Sequence, residues 1–286
     1  MAALDTHKIP TTIVTGFLGS GKTTLIRHLL ERAQGRRLAL IINEFGDVGV
    51  DGDILRTCGV ASCPEENIIE LANGCICCTV ADDFVPAIEA LLSRRDKPDH
   101  IIIETSGLAL PKPLVKAFDW PTIRSHLTVD GVIAVVDGAA VLAGTFADDP
   151  EMVAAQRAAD PSLDHDNPLE EVFEDQLLCA DMVVLNKGDL LTDDEKAQAR
   201  EQIAAVLPRA VKIVVTSEGK VDPELLLGLE AAAEDEIDVR KSHHDDEPEH
   251  DHDEFESFVL NVGPLSDPEQ FVAKLSAIAE EHDVLR

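Results

Sequence analysis

The residues best suited to chemistry stand eight in a row, Gly16-Phe17-Leu18-Gly19-Ser20-Gly21-Lys22-Thr23, entered from the apolar, β-branched run Ile9 to Thr15. Small residues at Gly16, Gly19, Ser20 and Gly21 let successive backbone N–H groups turn toward one anion, and the helix expected from Thr24 to Arg32 adds its positive N-terminal end. Lys22 can reach the β- and γ-phosphates, and the Thr23 hydroxyl is placed to ligate Mg²⁺. The pattern implies a bound nucleoside triphosphate, with Thr24 joining the candidates that touch it. The base is addressed further along, where Met182 to Leu185 reads as a buried strand ending in Asn186-Lys187-Gly188-Asp189. A carboxylate at Asp189 can accept from both the ring N–H and the exocyclic amine of guanine. Adenine offers no such paired donors, so GTP is favoured over ATP, with Asn186, Lys187 and Asp189 as the base-side candidates.

A second cluster is Asn73-Gly74-Cys75-Ile76-Cys77-Cys78-Thr79, which follows an expected strand at Asn67 to Leu71. In an extended segment Cys75 and Cys77 project to one side, and Cys78 can join after a small turn. Two or three thiolates favour tetrahedral Zn²⁺ or Co²⁺ over Mg²⁺. So few ligands suggest an open, exchangeable site; packed reduced thiols, or one redox cysteine with neighbours, are the alternatives. Cys58, Cys63 and Cys179 stand apart. Two further segments suit the moving parts of a GTPase. Asn43 to Asp51, with Glu44 among its carboxylates, could close on Mg²⁺ and the γ-phosphate as a first switch. Glu104-Thr105-Ser106-Gly107 has the form of a second switch, in which Glu104 holds Mg²⁺ through water and the Gly107 N–H meets the γ-phosphate.

The elements needed to position these groups are legible as short buried runs at Ile9 to Thr15, Leu38 to Ile42, His100 to Ile103, Val132 to Val136, Met182 to Leu185 and Val211 to Val215. Helical patterns at Thr24 to Arg32, Phe84 to Arg94 and Asp193 to Leu207 alternate with them. This is the signature of an α/β doubly wound, mainly parallel sheet, with the loops that follow the strands gathered on one rim. Residues 1–232 are assigned to this GTPase domain. Within it, Gly144 to Asp175 reads as an acidic, proline-punctuated surface excursion. Residues 233–254 read as an acidic His-rich linker too polar to pack, and 255–286 as the first strand (Phe255 to Val262) and helix (Pro268 to His282) of a small α+β C-terminal domain.

The chain has 286 residues, a formal net charge of −31 and six cysteines. Such a surface repels nucleic acid and anionic membrane, and clustered thiols argue for thiolate chemistry over a disulfide framework. No stretch approaches the ~20 uninterrupted apolar residues needed to span a bilayer. Met1 to Pro10 lacks the apolar core of a signal peptide, so a cytoplasmic location is expected.

Taken in order, Gly16 to Thr23, Asn43 to Asp51, Gly74 to Cys78, Glu104 to Gly107 and Asn186 to Asp189 resemble the CobW family of P-loop GTPase metallochaperones, and the C-x-C-C element is the specific part. Cys75 to Asp83 and Ile101 to Pro113 read like the branch associated with cobalt delivery in aerobic cobalamin biosynthesis. The resemblance implies GTP-gated handling of Co²⁺ (or Zn²⁺) alongside Mg²⁺, with Lys22, Glu44, Glu104 and Gly107 at the hydrolytic site; the switches carry no evident arginine finger and no glutamine placed to orient water, so slow intrinsic turnover is expected. The resemblance also implies metal handling by Cys75, Cys77 and Cys78, an acceptor enzyme such as a cobaltochelatase, and a nucleotide-dependent dimer as one available assembly. The residue readings leave open a zinc chaperone or zinc-allocation GTPase, and a regulatory GTPase with a structural zinc clip. Where some relatives carry a metal-binding Glu before Asn-Glu-Phe-Gly, this chain has Ile42. The histidines of His243 to His252 read equally as a weak metal antenna and as a solvated spacer.

Overall fold

The computed structural model describes residues 8–33, 35–43, 62–71, 84–147, 153, 168–207, 209–243 and 274. Its elements in chain order are β1 (Ile9–Thr15), α1 (Lys22–Glu31), β2 (Leu38–Asn43), β3 (Ile68–Leu71), α2 (Val85–Leu92), β4 (His100–Glu104), α3 (Pro111–Lys116), α4 (Pro121–Arg124), β5 (Leu127–Asp137), α5 (Gly138–Ala143), α6 (Leu169–Cys179), β6 (Met182–Asn186), α7 (Asp193–Val206), β7 (Lys212–Val215) and α8 (Pro223–Leu226). Short 3-10 turns lie at Glu65–Asn67, Ala117–Asp119, Gly188–Leu190 and Ala233–Val239.

The strands form one seven-stranded sheet in the order β3-β2-β4-β1-β5-β6-β7. Every pair is parallel, so all the strands point the same way and end on one rim. Alternation along each strand sends neighbouring side chains to opposite faces. Ile13, Ile41, Ile101 and Ile103 meet Phe84, Ile88, Leu91, Leu114 and Phe118 on one face. Val14, Leu40, Ile42 and Ile102 meet Leu25, Ile26, Leu29 and Leu30 of α1 on the other. Burial on both faces explains why the strands read as continuous apolar runs.

The doubly wound parallel sheet is as expected, with strand ends shifted by a residue or so and β5 longer than its apolar centre. Its start, Leu127 to Gly131, is interrupted by a charge, which obscures the strand in the sequence. Asp130 is the extra residue where the register slips against Thr11 and Thr12, and its carboxylate accepts from the backbone N–H groups of Gly228, Leu229 and Glu230.

Two expectations are corrected. The excursion assigned to Gly144 to Asp175 overran a core element: α6 occupies Leu169–Cys179, with Val172, Phe173 and Leu177 packed beside Phe17, Ala147 and Val153. Its acidic residues disguised an apolar face at helical spacing. The linker expected from residue 233 does not leave the domain there. Ala233 and Ile237 are buried against the sheet, and Glu234 accepts from the Val129 N–H at 2.9 Å and from the Thr128 hydroxyl at 2.6 Å. Polar composition was misleading because these polar groups find partners on the sheet instead of water. The first switch from Glu44 onward, the Cys75, Cys77 and Cys78 motif, the linker beyond residue 243, and the C-terminal strand and helix apart from Lys274 lie outside the described residues.

Candidate functional site

The phosphate-loop candidates occupy the turn between the central strand β1 and helix α1. Gly16, Gly19 and Gly21 all take positive φ, at 137°, 76° and 98°. A Cβ on Gly16 would fall 2.1 Å from the Val135 carbonyl oxygen, and one on Gly21 would fall 2.2 Å from Asn186 Nδ2. These two glycines are therefore required by both conformation and close approach. Helix α1 begins at Lys22 with no side-chain cap. Its first N–H groups thus face the turn as the donors from which a helix N-terminus builds an anion site. The Lys22 ammonium lies across this turn, donating to the carbonyls of Gly16 (2.8 Å) and Phe17 (3.3 Å). Ser20 is buried in the turn, and Thr24 follows on the first turn of α1.

Glu104 closes β4, the strand beside β1, and Thr23 Oγ1 donates to its Oε1 at 3.0 Å. The Thr23 hydroxyl and a nearly buried carboxylate thus converge next to the phosphate turn, a set of hard oxygen donors that fits Mg²⁺. The peptide after Glu104 is fixed to β1 by Thr105, whose N–H donates to Val14 O at 3.0 Å. Gly107 packs on the phosphate turn so closely that a Cβ would lie 2.7 Å from the Leu18 nitrogen.

On the other side of β1, the Asn186 motif ends β6. Asn186 Nδ2 donates to the Ser20 carbonyl at 2.9 Å, and its Oδ1 accepts from the Gly219 N–H at 3.1 Å. Lys187 adopts a left-handed backbone (φ 57°) and its ammonium lies 2.6 Å from Asp137 Oδ2. Asp189 is exposed on the following 3-10 turn, open to a ligand. The structure therefore joins Gly16 to Thr23, Glu104, Gly107 and Asn186 to Asp189 on one rim. β2 and β3 end on that same rim, at Asn43 and Leu71.

Sequence reasoning missed two contributors. Asp137, at the end of β5, caps α5 through the N–H groups of Ala139 and Ala140 and holds Lys187. Its signal was a lone acid closing an apolar run. The loop after β7 contributes Gly219, where a Cβ would meet the Leu25 nitrogen at 2.7 Å, and the Thr216 carbonyl, which accepts from Gly188 N–H at 2.8 Å. Its signal was the small pair Thr216-Ser217 followed by Gly219. Ile42 is buried in the core, so that position offers no metal donor. Cys63 and Cys179 are buried free thiols whose pKa burial pushes up to about 12.

The profile described as the CobW/HypB/UreG nucleotide-binding domain matches residues 10–215, which include Gly16 to Thr23, Glu104, Gly107 and Asn186 to Asp189. The chain belongs to the CobW/HypB/UreG family. Within this family it is similar to the "Zinc chaperone CobW" of a Sinorhizobium species, with 56% identity covering 100% of this chain and 82% of that protein. It is also similar to the "Zinc chaperone CobW" of Pseudomonas aeruginosa, with 55% identity over 98% of this chain and 76% of that one. Among solved structures, Zn(II)-bound YjiA GTPase from E. coli is similar at 28% identity and a TM-score of 0.52, covering 78% of this chain. The match spans 62% of that chain, so this CobW-family chain corresponds to part of the YjiA architecture. Among the described residues no helix is long and apolar enough to cross a membrane.

Proposed function

We propose that this CobW-family chain is a GTP-hydrolysing metallochaperone that binds a divalent transition metal in one nucleotide state and releases it in the other. The observation that carries the reading is the Asn186 bridge to Ser20. It joins the Asn186 to Asp189 turn to the Gly16 to Thr23 turn, beside Thr23 and Glu104, which supports reading the two as one nucleotide site. Gly16 to Thr24 would bind the phosphates, Asn186, Lys187 and Asp189 the guanine base, and Thr23, with Glu104 through water, would hold Mg²⁺. Mg²⁺ would neutralise charge on the β- and γ-phosphates. Glu44 and Gly107 would close on the γ-phosphate, Lys22 would stabilise its developing charge, and Cys75, Cys77 and Cys78 would hold the cargo metal.

Zn²⁺ is the favoured cargo. Thiolate donors bind it more tightly than Co²⁺, and two relatives at 55–56% identity are named zinc chaperones. The expectation of Co²⁺ for corrin metallation and a cobaltochelatase-type acceptor rests on the sequence resemblance alone. The test is a competition titration of Zn²⁺ and of Co²⁺ against a chelator, in Mg²⁺ with GDP and with a non-hydrolysable GTP analogue. Affinity that rises by orders of magnitude only with the analogue, and is lost in Cys77→Ala, supports the chaperone. Equal affinity in both nucleotide states makes the cysteine site structural and sinks it.

A further inference from the structure

Two consecutive polar residues of α6, Asp175 and Gln176, are both nearly buried, at 4% and 2% exposure. Burying such groups is unfavourable unless they are hydrogen-bonded, and their partners lie in different parts of the chain. Gln176 Nε2 donates to Gly107 O at 3.1 Å and to Ala109 O at 3.2 Å, so both amide hydrogens serve the turn that follows Glu104. That turn is pressed on its other side against Leu18 of the phosphate loop. Asp175, about 100° around the helix, grips the chain beyond the 3-10 turn at Ala233–Val239. It accepts from the Ser242 hydroxyl at 3.1 Å and from the His243 backbone N–H at 2.9 Å, and His243 Nδ1 lies 2.9 Å from it. The other ring nitrogen of His243 lies 3.1 Å from Glu174. Arg240 secures the approach, pairing through both terminal nitrogens with Asp181 just after α6.

We propose that α6 ties the Gly107 turn to the start of the histidine-rich segment, with Gln176 as the positioning residue for the turn and Asp175 as the anchor of the segment. The inference rests on the GTP-binding reading above and adds a route by which the nucleotide and the segment sense each other. A turn held ready by Gln176 needs less ordering when it meets a γ-phosphate, whereas GDP makes no contact there. Loosening α6 at His243 is felt at the turn, and by linkage a bound γ-phosphate tightens the hold on the segment.

The test uses the full chain and fluorescent GDP and a non-hydrolysable GTP analogue, titrated in Mg²⁺ against wild type, Gln176→Met and Asp175→Asn. Gln176→Met keeps the length but removes both donors; if it fails to fold, Gln176→Glu, whose neutral acid keeps at most one donor, serves instead. Affinity for the GTP analogue is expected to fall about tenfold in the Gln176 variant while affinity for GDP stays within about twofold. Asp175→Asn is expected to shift the same ratio in the same direction by about threefold. An unchanged ratio in either folded variant, a parallel loss of both nucleotides, or a gain in analogue affinity overturns the proposal. Wild type that binds neither nucleotide instead removes the GTPase reading on which it stands.

Discussion

Asn186 hydrogen-bonds to the Ser20 carbonyl at 2.9 Å across 166 positions of sequence, and Gly21 has no room for a side chain against it. The Gly16 to Thr23 turn and the Asn186 to Asp189 turn are therefore mutually dependent. Asn186→Ala leaves buried partners at Ser20 O and Gly219 N–H, a loss of about 1–3 kcal/mol. Affinity for GDP and for a GTP analogue should fall together, by roughly tenfold or more, in calorimetric titrations. Retention of wild-type affinity for both would mean the bridge does not shape the site.

Thr23 and Glu104 meet at 3.0 Å beside the phosphate turn. If they hold Mg²⁺, then Thr23→Ala and Glu104→Gln should each abolish the gain in nucleotide affinity on adding Mg²⁺ and leave affinity in EDTA unchanged. A Mg²⁺ dependence that persists in both variants would remove this pair from the ion's coordination. Wild-type single-turnover hydrolysis without metal or partner should stay below about one per second, because the switch candidates carry no evident arginine finger.

His100 is buried at the start of β4 with its Nε2 2.7 Å from Thr12 Oγ1. Burial lowers its pKa from 6.5 to about 4, against the opposing pull of Asp130. The imidazole is thus neutral in the folded protein across a range where the unfolded chain binds a proton. Its contribution is intact above pH 6.5 and is lost as pH falls from 6.5 toward 4, by about 3 kcal/mol at most. Chemical denaturation should show a steeper loss of stability between pH 6.5 and 4 in wild type than in His100→Gln. Parallel pH profiles would count against a buried neutral histidine.

Cys63 and Cys179 have thiol pKa values raised from 9.0 to about 12, chiefly by burial. Thiolates are the reactive species, so native protein at pH 8 should be spared by iodoacetamide at these two cysteines until it is unfolded. The unfolded chain ionises first, so these thiols also cost stability as pH rises from about 9 toward 12. Peptide mapping showing early labelling of Cys179 would contradict its packing beneath Arg240.

The central motifs were legible because their demands are local. Gly16 to Thr23 and Asn186 to Asp189 each carry their chemistry within a few residues, and continuous β-branched runs announce strands covered on both faces. α6 was obscured because its acidic residues dominate the composition of the preceding segment, while Val172, Phe173 and Leu177 signal a buried face only when read at helical spacing. The packing of 233–243 was obscured for a related reason. Glu234, Arg240 and His243 are as polar as a solvated linker, and only their partners at Val129, Asp181 and Asp175 distinguish them from one.

By itself the sequence singled out residues whose types and spacing suit phosphate and guanine, and determined that parallel strands would set them on one rim, since these follow from residue type, spacing and chain direction. The tertiary structure decided which distant groups complete the site: Asp137 under Lys187, Gly219 on Asn186, and Gln176 on the Gly107 turn. Such pairings depend on strand order and on the crossing of helices over the sheet. They bring together residues separated by tens of positions through packing that no local pattern encodes.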